Sequence, residues 1–407
     1  MTGPAEAAIG RVFRAESGRS VATLVRVFGQ LDLAEDAVQD AFELALTVWA
    51  RDGLPPNPGG WITTTARRCA IDRLRRDVRG RQLLGEVALL EHEPAREGVG
   101  AVPDDRLRLI FTCCHPALAP EARVALTLRL LGGLRTDEVA RAFLVAEPTM
   151  AQRLVRAKRK VRLARIPYRV PGATELPGRL RAVLAVLYLI YNAGAEPGAP
   201  PSTAELRAEA IRLARLLTGL LPDEPEVTGL LALLLLTEAR FATRTGGDGT
   251  LVLLRDQDRS AWDSELIAEG RRLVRACLRR DEPGPYQLQA AINAVHTDAD
   301  SVATTDWHQI LALYDQLLAV APTPVVALNR AVVVGEVHGP QAALDLLDRL
   351  DLAGYHAFHA TRADLLHRLG RTGEAAVAYE EAANLATSPA ERRHLAARSR
   401  EAGPGTR

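Results

Sequence analysis

Thr149, Gln152, Arg153 and Arg156 follow one another at steps of three, one and three. On a helix that spacing puts them on one face. Arginine carries the paired donors that match guanine, and glutamine the donor and acceptor that match adenine, so this face suits base edges in a major groove. Thr149, Gln152 and Arg153 stand at its N-terminal end, nearest the bases. Further along, Arg156, Lys158, Arg159, Lys160 and Arg162 are within reach of phosphates, which position a protein on DNA without specifying sequence. Residues 148–169 hold eight basic side chains and no acid. A solvated basic helix would show the same run, so the preceding residues matter. There "TDEVARAFL" and then "VAE" give a short helix and a tight turn, the spacing of a helix-turn-helix. Thr136 is expected to cap the first helix through its hydroxyl, and Pro148 fits the first turn of the second.

A second cluster lies in "GGWITTTARRCAIDRLRR", residues 59–76. Arg67, Arg68, Arg73, Arg75, Arg76, Arg79 and Arg81 fall within fifteen residues, with Asp72 and Asp77 the only acids among them. Ile62, Ala66, Cys69, Ala70 and Leu74 form the inner face of the expected helix. Trp61 and the threonines, Thr64 among them, stand at its exposed start. An aromatic and hydroxyls beside arginines suit single-stranded DNA, because bases stack while phosphates pair. The competing reading makes Trp61 a core residue and pairs the arginines with acids of the preceding helix.

Other combinations carry less. "CCH" at 113–115 has poor spacing for zinc, and no second Cys/His pair lies nearby. Its burial is the expectation. No Ser-His-Asp, HExxH or GxGxxG pattern stands in a suitable context, and "TGGDGT" lacks the Lys-Ser/Thr of a phosphate loop. The acids of "DQDRSAWD" fit capped turns better than a cation site. No catalytic residue, metal or cofactor is therefore expected, and the chain reads as a non-enzyme.

The elements that must position the two clusters are helices. Ala, Leu and Arg dominate a chain of 407 residues that is 47% hydrophobic and 4% aromatic, a composition that favours helix. In "LDLAEDAVQDAFELALTVWA" (31–50), Ala34, Val38, Ala41, Leu44, Ala45 and Val48 keep helical spacing with acids opposite. "RDGLPPNPGG" (51–60) breaks that helix. The expected division is 1–85, a linker at 86–103, a second compact region at 104–168, and an acidic helical extension at 175–299 and 300–400. Within 246–263 a short hairpin or loop is expected. From about residue 300 a faint repeat recurs: Ala331 and Ala363 are 32 apart, as are Ala343 and Ala375. A period near 34 suits tetratricopeptide-like helix pairs.

Residues 1–170 hold 27 basic and 20 acidic side chains, against 24 and 30 in the remainder. A polyanion partner is thus expected for the front part alone, and the two parts can attract each other. Four cysteines without CxxC spacing indicate a reducing compartment. The N-terminus has no apolar signal core, and "LLALLLLTEARF" (230–241) is too short to span a bilayer. A cytoplasmic protein without membrane partners is expected.

Taken together, "DLAEDAVQDAFELAL", "GWITTTARRCAIDRLRR" and "ALTLRLLGGLRTDEVARAFLVAEPTMAQRLVRAKRKVR" resemble a bacterial RNA polymerase sigma factor of the extracytoplasmic-function (ECF) class, in the sigma-70 family. The first two segments resemble region 2 and the last region 4. "LVLLRDQDRSAWD", "GPYQLQAAINAVH", "TTDWHQILALYDQLL" and "AGYHAFHATRADLLHRLGRTGEA" resemble the subgroup with a long tetratricopeptide-like C-terminal extension. The resemblance implies an all-α fold, with core RNA polymerase and promoter DNA as partners. It implies polymerase docking by Asp36, Gln39, Asp40 and Phe42. It implies −10 element capture by the 51–60 loop with Trp61, Thr64, Arg67, Arg68, Arg73 and Arg76. It implies −35 reading by Thr149, Gln152, Arg153, Arg156 and Arg159. The extension is expected to regulate, taking either the chain's own basic half or another protein as partner. The alternative is a helix-turn-helix activator with a tetratricopeptide scaffold, which would need no region-2-like block.

Overall fold

Apolar residues at three- and four-residue spacing run through nearly the whole chain, and the computed structural model is accordingly all-α. It describes residues 4–79, 103–143, 145–195, 204–246 and 250–402. Residues 86–102 of the expected linker, Arg81 and the centre of "TGGDGT" lie outside these, as does the side chain of Arg79. Eighteen α-helices fall among the described residues. They divide into two units, Met1–Ile190 and Tyr191–Arg407.

The first unit opens with α1 (Pro4–Phe28), α2 (Leu31–Asp52) and α3 (Pro58–Arg79). The inner stripe of α2 is mostly alanine: Ala34, Ala37, Ala41 and Ala45, with Val38, Phe42 and Trp49. Small side chains let α1 and α3 lie close against it. Leu44, expected on that stripe, is 47% exposed, while Phe42 is 5% exposed and stacks edge-to-face on Phe13 at 4.5 Å. The burial stripe is offset from the one expected, and Phe42 and Trp49 fill it. Helix α3 begins with Asn57 as its cap, whose Oδ1 accepts from Gly60 N at 2.9 Å, and Pro58 follows in the first turn.

The same unit continues with α4 (Pro103–Cys113), α5 (Pro120–Leu130), α6 (Thr136–Ala142), α7 (Glu147–Leu163) and α8 (Leu176–Ala195), the last crossing the division between units. Gly133 turns the chain out of α5 with φ +67°, and Phe13 and Ser17 lie against it, so a side chain there is excluded twice over. The Asp105 carboxylate, almost fully buried, takes Arg26 Nε at 2.8 Å and Arg108 Nη1 at 3.2 Å. Tyr168 Oη lies 2.7 Å from the Ala22 carbonyl and 3.0 Å from that of Asp105. Thr136 does not cap α6. It is the first helical residue, and Glu138 Oε2 accepts instead from Arg135 N at 2.7 Å. A carboxylate at the third helical position closes that turn without the hydroxyl. Cys113 and Cys114 are buried, Cys114 Sγ 3.5 Å from Thr127 Oγ1, and burial raises both thiols, Cys114 to about 11. All four cysteines are free thiols.

In the second unit α10 (Pro225–Glu238) is apolar on every side and buried from Leu230 to Leu236. It is packed by α9 (Ala204–Leu220), α11 (Ser264–Leu278) and α12 (Pro285–Asp298). No helix of the described residues is long and apolar enough to cross a membrane. Gly229 makes the α10–α12 crossing close: a Cβ there would stand 2.8 Å from Gln287 N and 2.9 Å from its Cα. Gly229→Ala is therefore expected to destabilise this unit by about 1–3 kcal/mol, read as a lower urea midpoint. An unchanged midpoint would mean the crossing has slack.

Between α10 and α11, Gly246 N donates to Thr250 O and Val252 N to Arg244 O, around an isolated antiparallel bridge from Thr245 to Leu251. Two of the aspartates that follow are caps. Asp258 accepts from Ser260 N, and Asp263 accepts from Glu265 N and Leu266 N. Helices α13 (Trp307–Val320), α14 (Pro324–Val337), α15 (Pro340–Leu347), α16 (His356–Arg368), α17 (Thr372–Leu385) and α18 (Pro389–Ala402) complete the unit. Ala331 and Ala363 stand on α14 and α16, and Ala343 and Ala375 on α15 and α17, all fully buried. The 32-residue recurrence thus marks positions inside successive helix pairs.

His296, on α12, stacks edge-to-face on Trp307. Burial, then Arg240 and Arg259, pull it from 6.5 to about 4. The unfolded chain therefore takes this proton first. The contribution is complete above about pH 6.5 and is lost as pH falls towards 4, about 3 kcal/mol in all. His296→Asn is expected to flatten the acid limb of the unit's stability between those values. An equally steep limb in the variant would overturn the assignment.

Candidate nucleic-acid interface

The second helix of the helix-turn-helix, α7, has an inner stripe of Met150, Leu154, Ala157 and Val161, packed on α5 and α6. Two polar flanks rise on either side of it. One carries Thr149, Gln152 and Arg156, all exposed, with Arg153 half-exposed; Lys160 shares this side and Arg159, also exposed, borders it. The other carries Lys158 and Arg162, and it is turned to α2. Lys158 Nζ lies 2.7 Å from Asp32 Oδ1 and 3.1 Å from Glu35 Oε2, and Arg162 Nη1 lies 3.7 Å from Asp32 Oδ2. Arg129 of α5 joins them, its Nε 2.5 Å from Glu35 Oε1, and its Nη2 reaches Gln39 Oε1 at 3.2 Å. Glu35, Arg129 and Lys158 keep only 12–13% of their side-chain surface. Burial pulls the Lys158 ammonium down, but Glu35 and Asp32 more than offset this and leave it above the usual lysine value. Lys158 and Arg162, expected at phosphates, are thus engaged within the unit, while among the described residues none of the five residues expected at the −35 element stands in these ion pairs.

The arginine helix divides in a similar way. Its inner face holds Ile62, Ala66 and Ala70, all fully buried. Arg73 is turned to α2: Nε and Nη2 meet the two oxygens of Asp40 at 2.9 and 2.7 Å, and Nη1 meets Asp36 at 2.8 Å. The Asp40 hydrogen bond leads the effects that raise this guanidinium. Bidentate Arg–carboxylate geometry is the strong form of this pair. Arg73, expected at the −10 element, thus has its charge met by Asp36 and Asp40. Phe42, expected at a docking face, is buried in the core. Gln39 is exposed.

Trp61 is half-buried, its ring edge-to-face with Trp49 at 5.2 Å. One side of it packs and some surface remains. Thr64, Arg68 and Arg76 are exposed and Arg67 is half-buried. Thr63 is the structural threonine, its hydroxyl 3.0 Å from that of Ser20 and donating to Gly59 O. The exposed loop residue Leu54 and Leu46 of α2 add apolar surface that the sequence pattern does not single out, beside Leu44, which it places on the inner stripe. Among the described residues no group of three or more His, Cys, Asp or Glu is placed to hold a metal.

Three family models and several curated proteins match this chain. Sigma-70 region 2 matches residues 12–80, and Sigma-70, region 4 matches 108–161. These are domains of a non-enzymatic family. A family of unknown function (DUF6596) matches 179–278. An uncharacterized protein of Rhizobium meliloti (strain 1021) is 43% identical over 387 residues, 93% of this chain and 92% of the relative. The ECF RNA polymerase sigma factor SigK of Mycobacterium tuberculosis (strain ATCC 25618 / H37Rv) is 27% identical over 168 residues, 40% of this chain and 88% of that protein. The probable ECF RNA polymerase sigma factor SigI of Mycobacterium tuberculosis (strain CDC 1551 / Oshkosh) is 27% identical over 172 residues, 40% of this chain and 58% of that protein. No solved structure matches the chain.

Proposed function

We propose, from the premise that this chain belongs to the family that joins Sigma-70 regions 2 and 4 to a C-terminal helical domain, that it is an alternative sigma factor of the ECF class. In this reading it binds core RNA polymerase in the cytoplasm and directs initiation at specific promoters. The observation that carries it is the split of α7. Its cations on one side are spent on Asp32 and Glu35, while Thr149, Gln152, Arg153, Arg156 and Arg159 are left to meet DNA. That face fits a −35 element. The α3 helix, with Trp61 and Thr64 near its start and Arg67, Arg68 and Arg76 further along, fits an opened −10 element, where an unstacked base costs a few kcal/mol to extrude. The polymerase-docking surface is assigned to the outer edge of α2, around Asp36, Gln39 and Asp40 with Leu44 beside them. The C-terminal helical domain is assigned a regulatory role.

Run-off transcription from a pool of genomic promoters, with bacterial core polymerase, tests this. Full-length protein and a chain ending after residue 175 run in parallel. Specific transcripts that require the protein are the expected result, and the difference between the two chains gives the sign of the regulation. Absence of binding to core polymerase would favour the helix-turn-helix activator instead.

A further inference from the structure

A cavity of about 490 Å³ lies within the C-terminal unit. Its walls come from α12, α13, α14, α16, α17 and α18 and from residues 251–259. Its volume is that of a small-molecule site, roughly 300–1,000 Å³, and far above the voids of a close-packed core. Much of the lining is apolar, including Leu251, Leu254, Trp307, Val332 and Leu395.

The charges of the wall do not balance. Asp364 holds Arg255 at 2.9 Å, Glu336 holds Arg368 at 2.7 Å, and Glu391 lies 3.5 Å from His356. Those are the three carboxylates of the lining. Against them stand four guanidiniums, an excess of one, and two of the four, Arg259 and Arg398, have no carboxylate partner within the wall. Arg259 donates to the carbonyls of His296 and Ala299 and to Thr305 Oγ1, all neutral groups. Arg398 lies over the Tyr379 ring, donates to its hydroxyl at 3.3 Å, and reaches Glu401, outside the wall, at 3.3 Å. His296, also in the wall, has a buried Nδ1 with no hydrogen-bond partner among the described residues. Buried polar atoms are nearly always satisfied. A cationic ligand would add to the excess of positive charge. A polyphosphate would bring more charge than this single excess offsets and would meet mostly hydrocarbon.

We propose that this cavity binds a monoanionic amphipathic small molecule, an organic acid with an apolar body. Its carboxylate pairs with Arg398, and its body lies against Trp307, Val332 and Leu251. The proposal does not depend on the transcriptional role, because binding is measured directly.

Calorimetric titration of the full-length protein with straight-chain carboxylates of six to twelve carbons, and with the matching alcohols, tests it. Saturable one-to-one binding of a carboxylate is expected, with the alcohol of equal length weaker. Arg398→Gln is expected to weaken the carboxylate by about tenfold or more, the loss of a charge-assisted contact, and to leave the alcohol unchanged. Val332→Trp, which fills the cavity, is expected to abolish both, with thermal melts checking that each variant is folded. No carboxylate binding up to millimolar concentration, or equal binding by wild type and Val332→Trp, overturns the proposal. Should Arg398→Gln fail to fold, the Val332→Trp comparison decides alone.

Discussion

Glu35→Ala is expected to loosen the N-terminal unit by about 3 kcal/mol. The carboxylate bridges Arg129 and Lys158, and all three side chains are nearly buried. Removing it leaves two cations confined with little water and only exposed acids nearby. In a unit of this size that is a melting shift of roughly 6–12 °C. Asp32→Ala should cost about 0.5 kcal/mol or less, because that carboxylate is half-exposed and its pairs are screened by solvent. Hydrogen exchange gives the local reading. Amides of α5 and α7 should lose protection in Glu35→Ala and keep it in Asp32→Ala. Unchanged protection in both would mean that packing alone holds the helix-turn-helix to α2. The functional weight of the test is that Glu35 joins the helix proposed to dock on polymerase to the helix proposed to read DNA.

Arg153→Ala is expected to weaken specific promoter binding by the polymerase-bound protein about 5- to 150-fold, the 1–3 kcal/mol of a bidentate base contact, and to relax preference at one base pair. Arg162→Ala should leave the ratio of specific to non-specific binding unchanged, because that side chain lies on the flank facing Asp32. Both are measured by competition binding with promoter variants, at a stated salt concentration because phosphate contacts are salt-dependent. If Arg162→Ala relaxed base preference and Arg153→Ala did not, the reading face would lie on the opposite flank of α7. Neither variant removes a buried group, so folding should not confuse the comparison.

Much of this molecule was legible before any coordinates. Helical periodicity placed α2, α3, α6 and α7. The Pro-Gly-rich stretch from 51 to 60 ended one helix, although the next begins inside it, at Pro58 with Asn57 as its cap. "LLALLLLTEARF" read as buried because a helix apolar on all sides has no place at a water surface. The 32-residue alanine recurrence pointed to helix pairs because only small residues tolerate so close a crossing. These signals are local, set within a few turns of one helix.

What tertiary structure decided was the choice of partner. An arginine pattern shows that a face is basic, but not whether its counter-charge is a phosphate or a carboxylate on another helix. Arg73 proved to belong to Asp36 and Asp40, 37 and 33 residues away, and Lys158 to Asp32 and to Glu35, the latter 123 residues distant. The spacing of Lys158 and Arg162, four apart, against Asp32 and Glu35, three apart, was visible. Nothing in it said that the two helices meet. Phe42 illustrates the same limit, since its burial depends on Phe13 arriving from α1. The cavity of the C-terminal unit depends on residues from 251 to 398, and no window of sequence spans it. A chain's own periodicity determines its helices, whereas long-range contact determines which of their charged faces remain free to act.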